Sequence, residues 1–145
     1  MAGVSRDELV AELNALLEAE RAGARVGAAL VSEAKGTPFA RLAHVVHDDE
    51  VKWARALFEA IGALDGAASD KVGDFAAKAL AVEGLEARLA FVNRGQGWVV
   101  RKLRELTPKL DDGALKDTLQ AMLDAHVNNI AATNDALAAA AGPAA

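Results

Sequence analysis

The sequence predicts an all-α protein, and three observations lead to this prediction. Of the 145 residues 52 % are apolar, and Ala and Leu dominate over Ile and aromatic residues. There are only three Pro and no Tyr. The apolar residues recur at spacings of three and four, which lines one face of a helix. A chain of this length can bury a core without disulfides, so we expect a single helical domain over residues 1–145.

Composition excludes several classes of function. With no Cys, the chain has no disulfide framework, no thiolate nucleophile and no zinc-thiolate site. The net charge is −5, and acidic and basic residues are interspersed, which argues against binding to nucleic acid or to a membrane surface. The first residues lack a basic stretch followed by an apolar run, and no apolar segment approaches the roughly 18 residues of a membrane span. We therefore expect a soluble, cytoplasmic protein.

Capping signals delimit two long helices in the first half of the chain. Ser5 and Glu8 form a capping-box pattern, in which each side chain satisfies a free backbone donor of the other. This pattern predicts a first helix over residues 6–35. A second helix is predicted with Thr37 as its N-cap and Pro38 at its first helical position, and Gly62 is its expected end.

The second half contains a break between helical segments. A helical region capped by Ser69 or Asp70 is expected to break near residues 81–84, because glycine is unfavourable inside a helix. The remaining predicted elements are a third long helix over residues 85–106 and a fourth that begins at a cap on Asp111 or Asp112 and ends near Ala140.

A polar residue interrupts the apolar face of each long helix near its midpoint. In chain order these residues are Glu20, Glu50, Gln96 and His126. Asn129 follows His126 at i+3 on the same face, and Asp49 lies at the edge of the second stripe. Short connections make the first and second helices, and the third and fourth, antiparallel neighbours, so midpoint residues meet at one depth. We therefore expect one buried polar layer.

The chemistry of this layer has two interpretations. In the first, it is a buried hydrogen-bond network in which the carboxyls stay protonated or pair with a charged His126, and Gln96 and Asn129 complete the bonds. In the second, Glu20, Glu50 and His126 hold one Fe, Mn or Zn ion, because two carboxylates and an imidazole suit these metals. We favour the first, a non-catalytic helical module; a metal-binding oxidoreductase or stress protein is the alternative. No catalytic residue is assigned, since nothing resembles a Ser-His-Asp triad.

The residues of the layer also resemble those of the ferritin-like superfamily, whose di-iron members carry a Glu on two helices and Glu-x-x-His on two others. The first helix has Glu20 in Leu-Leu-Glu-Ala-Glu-Arg, and residues 49–53 read Asp-Glu-Val-Lys-Trp, with Trp53 in the histidine position of Asp-Glu-x-x-His. Gln96 stands where a Glu is expected, and residues 126–129 stand where Glu-x-x-His is expected. The resemblance implies a ferritin-like four-helix bundle with a degenerate di-iron site and a broken or extra short helix before the third long helix.

A second string carries a closer resemblance. Residues 93–103, Asn-Arg-Gly-Gln-Gly-Trp-Val-Val-Arg-Lys-Leu, are similar to a segment of an uncharacterised bacterial ferritin-like family, some of whose members accompany DJ-1-type domains. This resemblance covers nearly the whole chain and implies no established activity. Within the string, Gly95 and Gly97 flank Gln96, which indicates close helix approach or room for a small ligand.

Residues outside the buried stripes give the remaining expectations. Three apolar residues point away from the stripes and favour a homo-oligomer, most simply a dimer: Val51, Phe58 and Trp98. The sequence identifies no other protein partner. His44, His47 and Glu50 have the i, i+3, i+6 spacing of a surface metal clip, but a solvated helix face is the preferred interpretation because His44 falls near the solvent side.

Overall fold

A computed structural model describes residues 3–142, and over this range the chain forms five α-helices and no β-strand. The helices are α1 (Arg6–Glu33), α2 (Ala40–Ala63), α3 (Phe75–Ala81), α4 (Leu85–Leu106) and α5 (Ala114–Ala141), with a 3-10 turn (Thr107–Lys109) after α4. The predicted all-α class is confirmed. A short helix, α3, precedes the third long helix, as the break near residues 81–84 predicted.

The long helices pack mainly in two pairs. α1 lies along α2, and α4 lies along α5, while α1 also contacts α4 and α2 contacts α5. The first pair is antiparallel, because Gly23 adjoins Glu50 and Gly27 adjoins His47. The second pair is tied by a hydrogen bond of 2.9 Å from the Asn93 side chain to Asn134. Residues near the four midpoints therefore come together inside the protein.

The core consists of two hydrophobic clusters with the polar layer between them. One cluster contains buried residues such as Leu13, Leu57 and Leu103, and the other contains residues such as Val26 and Leu89. The residues of α1 that recur at spacings of three and four, and were therefore predicted to face inward, are all buried: Leu9, Leu13, Leu16, Glu20, Gly23, Gly27 and Leu30. On the other long helices only the end residues of the corresponding stripes are partly exposed. The predicted core faces of the four long helices are thus confirmed.

Helix ends in the first half differ slightly from the prediction. The Ser5 hydroxyl oxygen accepts a hydrogen bond from the Glu8 backbone N–H at 3.1 Å, so the predicted cap of α1 is present. α2 begins at Ala40 rather than at Pro38. Thr37 accepts a bond from the Phe39 N–H through its side chain and one from the Ala40 N–H through its carbonyl, which closes a turn before the helix.

The predicted cap at Ser69 or Asp70 is wrong. Residues 66–73 are not helical, and α3 begins only at Phe75. Ser69 donates its hydroxyl hydrogen to Glu18 at 2.7 Å and its backbone N–H to Asn14 at 2.7 Å, both on α1. These long-range bonds hold the loop on α1 and replace the local cap. α5 begins after Gly113 rather than at Asp111 or Asp112.

No helix in the described part of the chain combines the length and the apolar character that a bilayer crossing requires.

Candidate functional site

Three ionisable side chains from three helices converge in the polar layer. Glu20 on α1, Glu50 on α2 and His126 on α5 each offer one ligand atom, and these atoms all lie within 4.8 Å of one another. Their exposed fractions are 1 %, 4 % and 1 %. The structure therefore brings together the three residues that the sequence analysis named as metal ligands.

The orientation of His126 is fixed by the preceding helical turn. Its Nδ1 lies 2.9 Å from the backbone carbonyl oxygen of Met122. A carbonyl only accepts hydrogen bonds, so Nδ1 carries a hydrogen and donates it. In the neutral imidazole the lone pair then lies on Nε2, which is 2.9 Å from Glu20 Oε1 and 3.9 Å from Glu50 Oε1. Metal-binding histidines commonly donate the hydrogen of their other ring nitrogen to a backbone carbonyl, as Nδ1 does here to Met122.

The short approach between His126 and Glu20 is not a hydrogen bond. Nε2 and Oε1 are 2.9 Å apart, but neither atom has a partner of acceptable hydrogen-bond geometry among residues 3–142. Two ligand atoms that each lie about 2.1 Å from one ion are about 3.0 Å apart in an octahedral site and about 3.4 Å apart in a tetrahedral site. The spacing of the two atoms therefore fits neighbouring ligands of a shared octahedral ion.

Burial makes Glu20 and Glu50 weaker acids than exposed glutamates. Burial raises the pKa of Glu20 to about 7; its hydrogen bond with Glu50 works in the opposite direction, and the charge of Asp49 adds to the rise. Burial also raises the pKa of Glu50 well above its ordinary value, with further contributions from Glu20. Two neighbouring carboxyls in a low-dielectric site titrate as a coupled pair. Without a cation, the pair therefore holds at least one proton near neutral pH.

Glycine on α1 makes room for the second carboxyl. A Cβ atom at position 23 would lie 2.6 Å from Glu50 Cδ, closer than real Cβ contacts allow. One turn later, a Cβ at position 27 would lie 3.0 Å from the His47 Cα. These two glycines let α2 approach α1 closely, and Gly23 admits Glu50 to the layer.

The other members of the predicted layer do not complete the hydrogen bonds of this triad. Gln96 is 4 % exposed, yet both of its amide atoms lack a hydrogen-bond partner in the described chain. Asn129 donates to Asp49 Oδ2 at 2.8 Å, which links α5 to α2 beside the triad. The layer thus contains a triad, a separate Asn129–Asp49 pair and an unpaired glutamine.

The donor set fits one metal ion and does not fit two. Trp53, which the sequence resemblance placed in a histidine position, is 5 % exposed and packs in the hydrophobic cluster that contains Leu13, Leu57 and Leu103. Gln96 carries no charge, and Asn129 is held by Asp49. A bridged pair of cations needs more negative charge than Glu20 and Glu50 supply.

A cavity of about 450 Å³ adjoins the layer. Its inner end is formed by Glu20, Glu50 and Gln96, and aromatic residues of α3 and α4 line its walls. Trp98 is one of these residues and is partly buried, whereas the sequence analysis expected it to point outward. The glycine beside Gln96 was the sequence signal for this space.

The residues of α2 that were predicted to face outward are an apolar pair, Val51 and Phe58, and two histidines, His44 and His47. Val51 and Phe58 are exposed to 45 % and 54 %, as expected. His44 is exposed, and the ring of His47 pairs with its neighbour Asp48 at 3.2 Å. The preferred interpretation of these histidines as a solvated face agrees with this arrangement.

Residues 7–136 match a family model described as "Domain of unknown function (DUF6306)". The chain belongs to this family. The match includes all three residues of the triad and both residues of the Asn129–Asp49 pair. No curated protein and no solved structure matches the chain with significance. The DUF6306 description names no activity, so the function is inferred from the chemistry of the layer and the cavity.

Proposed function

We propose that this DUF6306 chain is a ferritin-like helical protein that binds one divalent ion of iron, manganese or zinc through Glu20, Glu50 and His126. One observation carries the proposal: three ligand atoms from three helices meet at one buried point. The Met122 carbonyl holds the His126 ring so that Nε2 faces both carboxyls. Carboxylate oxygen and imidazole nitrogen are ligands common to these three metals.

Charge balance supports the proposal. Two ionised carboxylates and a neutral imidazole carry two negative charges, which a divalent cation neutralises inside the core. In the absence of a cation, the raised pKa values of Glu20 and Glu50 keep the pair at least partly protonated. The metal therefore replaces protons, and its affinity should increase as the pH rises.

The ferritin-like assignment rests on the order of these elements. The first two long helices carry Glu20 and Glu50, a short helix precedes the third, and the fourth carries His126. When bound, iron or manganese would supply redox chemistry and zinc would supply Lewis-acid chemistry. The adjoining cavity gives small molecules access to the same carboxyls. A metal-dependent oxidoreductase or stress protein is the functional class that this arrangement favours.

A non-catalytic polar layer is the second candidate. It is favoured by the hydrogen bond between Glu20 and Glu50, because a shared proton lowers the charge of the buried pair. Such a layer would fix the register of the helices between the two hydrophobic clusters. Against it, the His126 Nε2 atom lies 2.9 Å from Glu20 Oε1 without the geometry of a hydrogen bond. We therefore prefer the metal site.

Metal content per chain tests the proposal. We expect elemental analysis to find about one ion per chain after purification without chelator, or after loading with Fe²⁺, Mn²⁺ or Zn²⁺. Glu20→Gln, Glu50→Gln and His126→Gln should each lose this ion. Glu59→Gln and His44→Gln change exposed residues of α2 and should retain it. Metal-free protein that resists loading, or an unchanged content in His126→Gln, contradicts the proposal.

We also propose that the chain self-associates, most simply as a dimer, through the exposed side of α2. Val51 and Phe58 lie seven residues apart on one helix face and are exposed to 45 % and 54 %. Sedimentation velocity should show a dimer that Phe58→Ser converts to a monomer. Val127→Ser, at another exposed apolar residue on α5, should leave the dimer intact. A monomeric wild-type protein contradicts this proposal.

A further inference from the structure

We infer that the cavity beside the polar layer binds a small, neutral molecule with a flat apolar body and a head group that both donates and accepts hydrogen bonds, such as a primary amide. This inference goes beyond the metal proposal and does not depend on it. It rests on the size of the cavity, on its aromatic walls and on the buried amide of Gln96.

The cavity has the size and the walls of a small-molecule site. Its volume of about 450 Å³ equals that of about fifteen water molecules in the liquid and lies within the usual range for ligand pockets. Phe75 and Phe91 stack with their ring centroids 5.3 Å apart, and Trp98 adds a third aromatic surface. A Cβ at Gly95 would lie 2.6 Å from the Phe75 ring, so this glycine lets α3 close one wall.

Gln96 supplies the polar end of the site. Its side chain lines the cavity, is 4 % exposed and has no hydrogen-bond partner at either amide atom among the described residues. Both amide atoms are covered, so the side chain has to turn toward the cavity to meet a ligand. A buried amide without hydrogen-bond partners is unfavourable, so a ligand group that forms hydrogen bonds with it gains binding free energy. An amide presents one acceptor and one donor side by side, and a second amide complements it in either orientation.

Charges around the cavity favour a neutral ligand. Glu20 and Glu50 at the inner end would repel an anion whenever either carboxyl is ionised. Near the mouth, Arg94 lies 5.3 Å from the centre of the Phe91 ring and opposes the entry of a cation, and Asp74 on the same wall carries the opposite charge. A ligand with an apolar body and no net charge meets neither penalty.

Benzamide, benzoate and benzamidine test this inference, because they share a shape and differ in charge and in hydrogen-bonding capacity. The chain has two Trp, so its NMR spectrum has two indole N–H signals. Trp98 lines the cavity and Trp53 does not. In chelator-treated protein, benzamide should shift the Trp98 signal saturably with a Kd of about 1 mM and leave the Trp53 signal in place. Benzoate offers only acceptors and benzamidine only donors, so each satisfies one half of the Gln96 amide and should bind about tenfold more weakly.

Two pairs of variants locate the binding. Gln96→Leu should weaken benzamide binding about fivefold and raise Tm by about 3 °C, because it removes an unsatisfied buried amide. Gln120→Leu, at an exposed glutamine of α5, should change neither the affinity nor the Trp98 signal. Ala19→Leu should occupy part of the cavity and weaken binding, whereas Ala15→Leu, one turn earlier on α1, should leave binding unchanged.

Three results would overturn the inference. They are the absence of a saturable Trp98 shift with benzamide, an unchanged affinity in Gln96→Leu, and tighter binding of benzoate or benzamidine. Metal content measured on the same preparations separates a failure here from a failure of the metal proposal, because the probe titration uses metal-free protein.

Discussion

Addition of Mn²⁺ or Zn²⁺ raises the free energy of unfolding of the chelator-treated protein by about 3 kcal/mol when free metal exceeds its Kd about 100-fold. The unfolded chain does not hold Glu20, Glu50 and His126 together, so the ion stabilises only the folded state. For a chain of 145 residues this increase corresponds to a rise in Tm of about 10 °C. Thermal unfolding with and without metal measures it.

Substitution at a glycine shows whether the stabilisation arises at the triad. A Cβ at position 23 would lie 2.6 Å from Glu50 Cδ, so Gly23→Ala must displace the Glu50 carboxyl. The difference in Tm between metal-loaded and metal-free protein should then fall nearly to zero. Gly62→Ala on α2 is the control, because no atom lies within 4 Å of its added Cβ. A full metal-dependent shift in Gly23→Ala would exclude Glu50 as a ligand.

The metal-free protein should become less stable as the pH rises from about 4.5 to about 7. The folded protein holds the Glu20 proton with a pKa of about 7, whereas the ordinary pKa of a glutamate carboxyl is 4.5. Stabilisation by this group is therefore complete below the unfolded pKa and is lost as the pH rises through the folded one. The shift in pKa corresponds to a loss of about 3 kcal/mol in the free energy of unfolding. Denaturant unfolding across this pH range, in the presence of chelator, measures this loss.

Glu20→Gln is the control for the pH prediction, since its amide cannot lose a proton. The fall in stability over this pH range should be markedly smaller in the variant. Saturating metal should reverse the trend in the wild type, because the ion binds the ionised carboxylates. The opposite result would be a free energy of unfolding that increases with pH in the metal-free protein and increases less in Glu20→Gln. It would mean that Glu20 is ionised and paired without metal.

Helical periodicity was sufficient to predict the triad. Glu20, Glu50 and His126 are in phase with the apolar residues of their helices, and short connections place the helix midpoints at one depth. The faces of a helix follow from the spacing of residues alone. For the same reason the buried stripes were predicted more accurately than the ends of α2 and α5, which depend on local turns.

Partners across the fold were not predictable in this way. Ser69 was expected to cap a helix, but it bonds to Asn14 and Glu18 on α1, far away in the sequence. Asn129 was expected to complete the hydrogen bonds of the buried carboxyls Glu20 and Glu50, but it pairs with Asp49. Both side chains can form several alternative bonds, and tertiary packing selects among them.

The cavity depends on tertiary packing to a still greater degree. It exists because α3 lies across α1 and α4 and places Phe75 against Gly95. Nothing in the periodicity of α4 specifies where a helix of seven residues will dock. Trp98 was therefore expected to face outward, although it forms part of a cavity wall.

Anomalous X-ray diffraction from crystals of the zinc- or manganese-loaded protein is the most direct test of the metal site. The proposed function predicts one strong peak per chain, about 2.1 Å from His126 Nε2 and from carboxylate oxygens of Glu20 and Glu50. No peak between these three residues, with ordered metal found only at surface carboxylates, would contradict the metal site and favour the hydrogen-bonded polar layer.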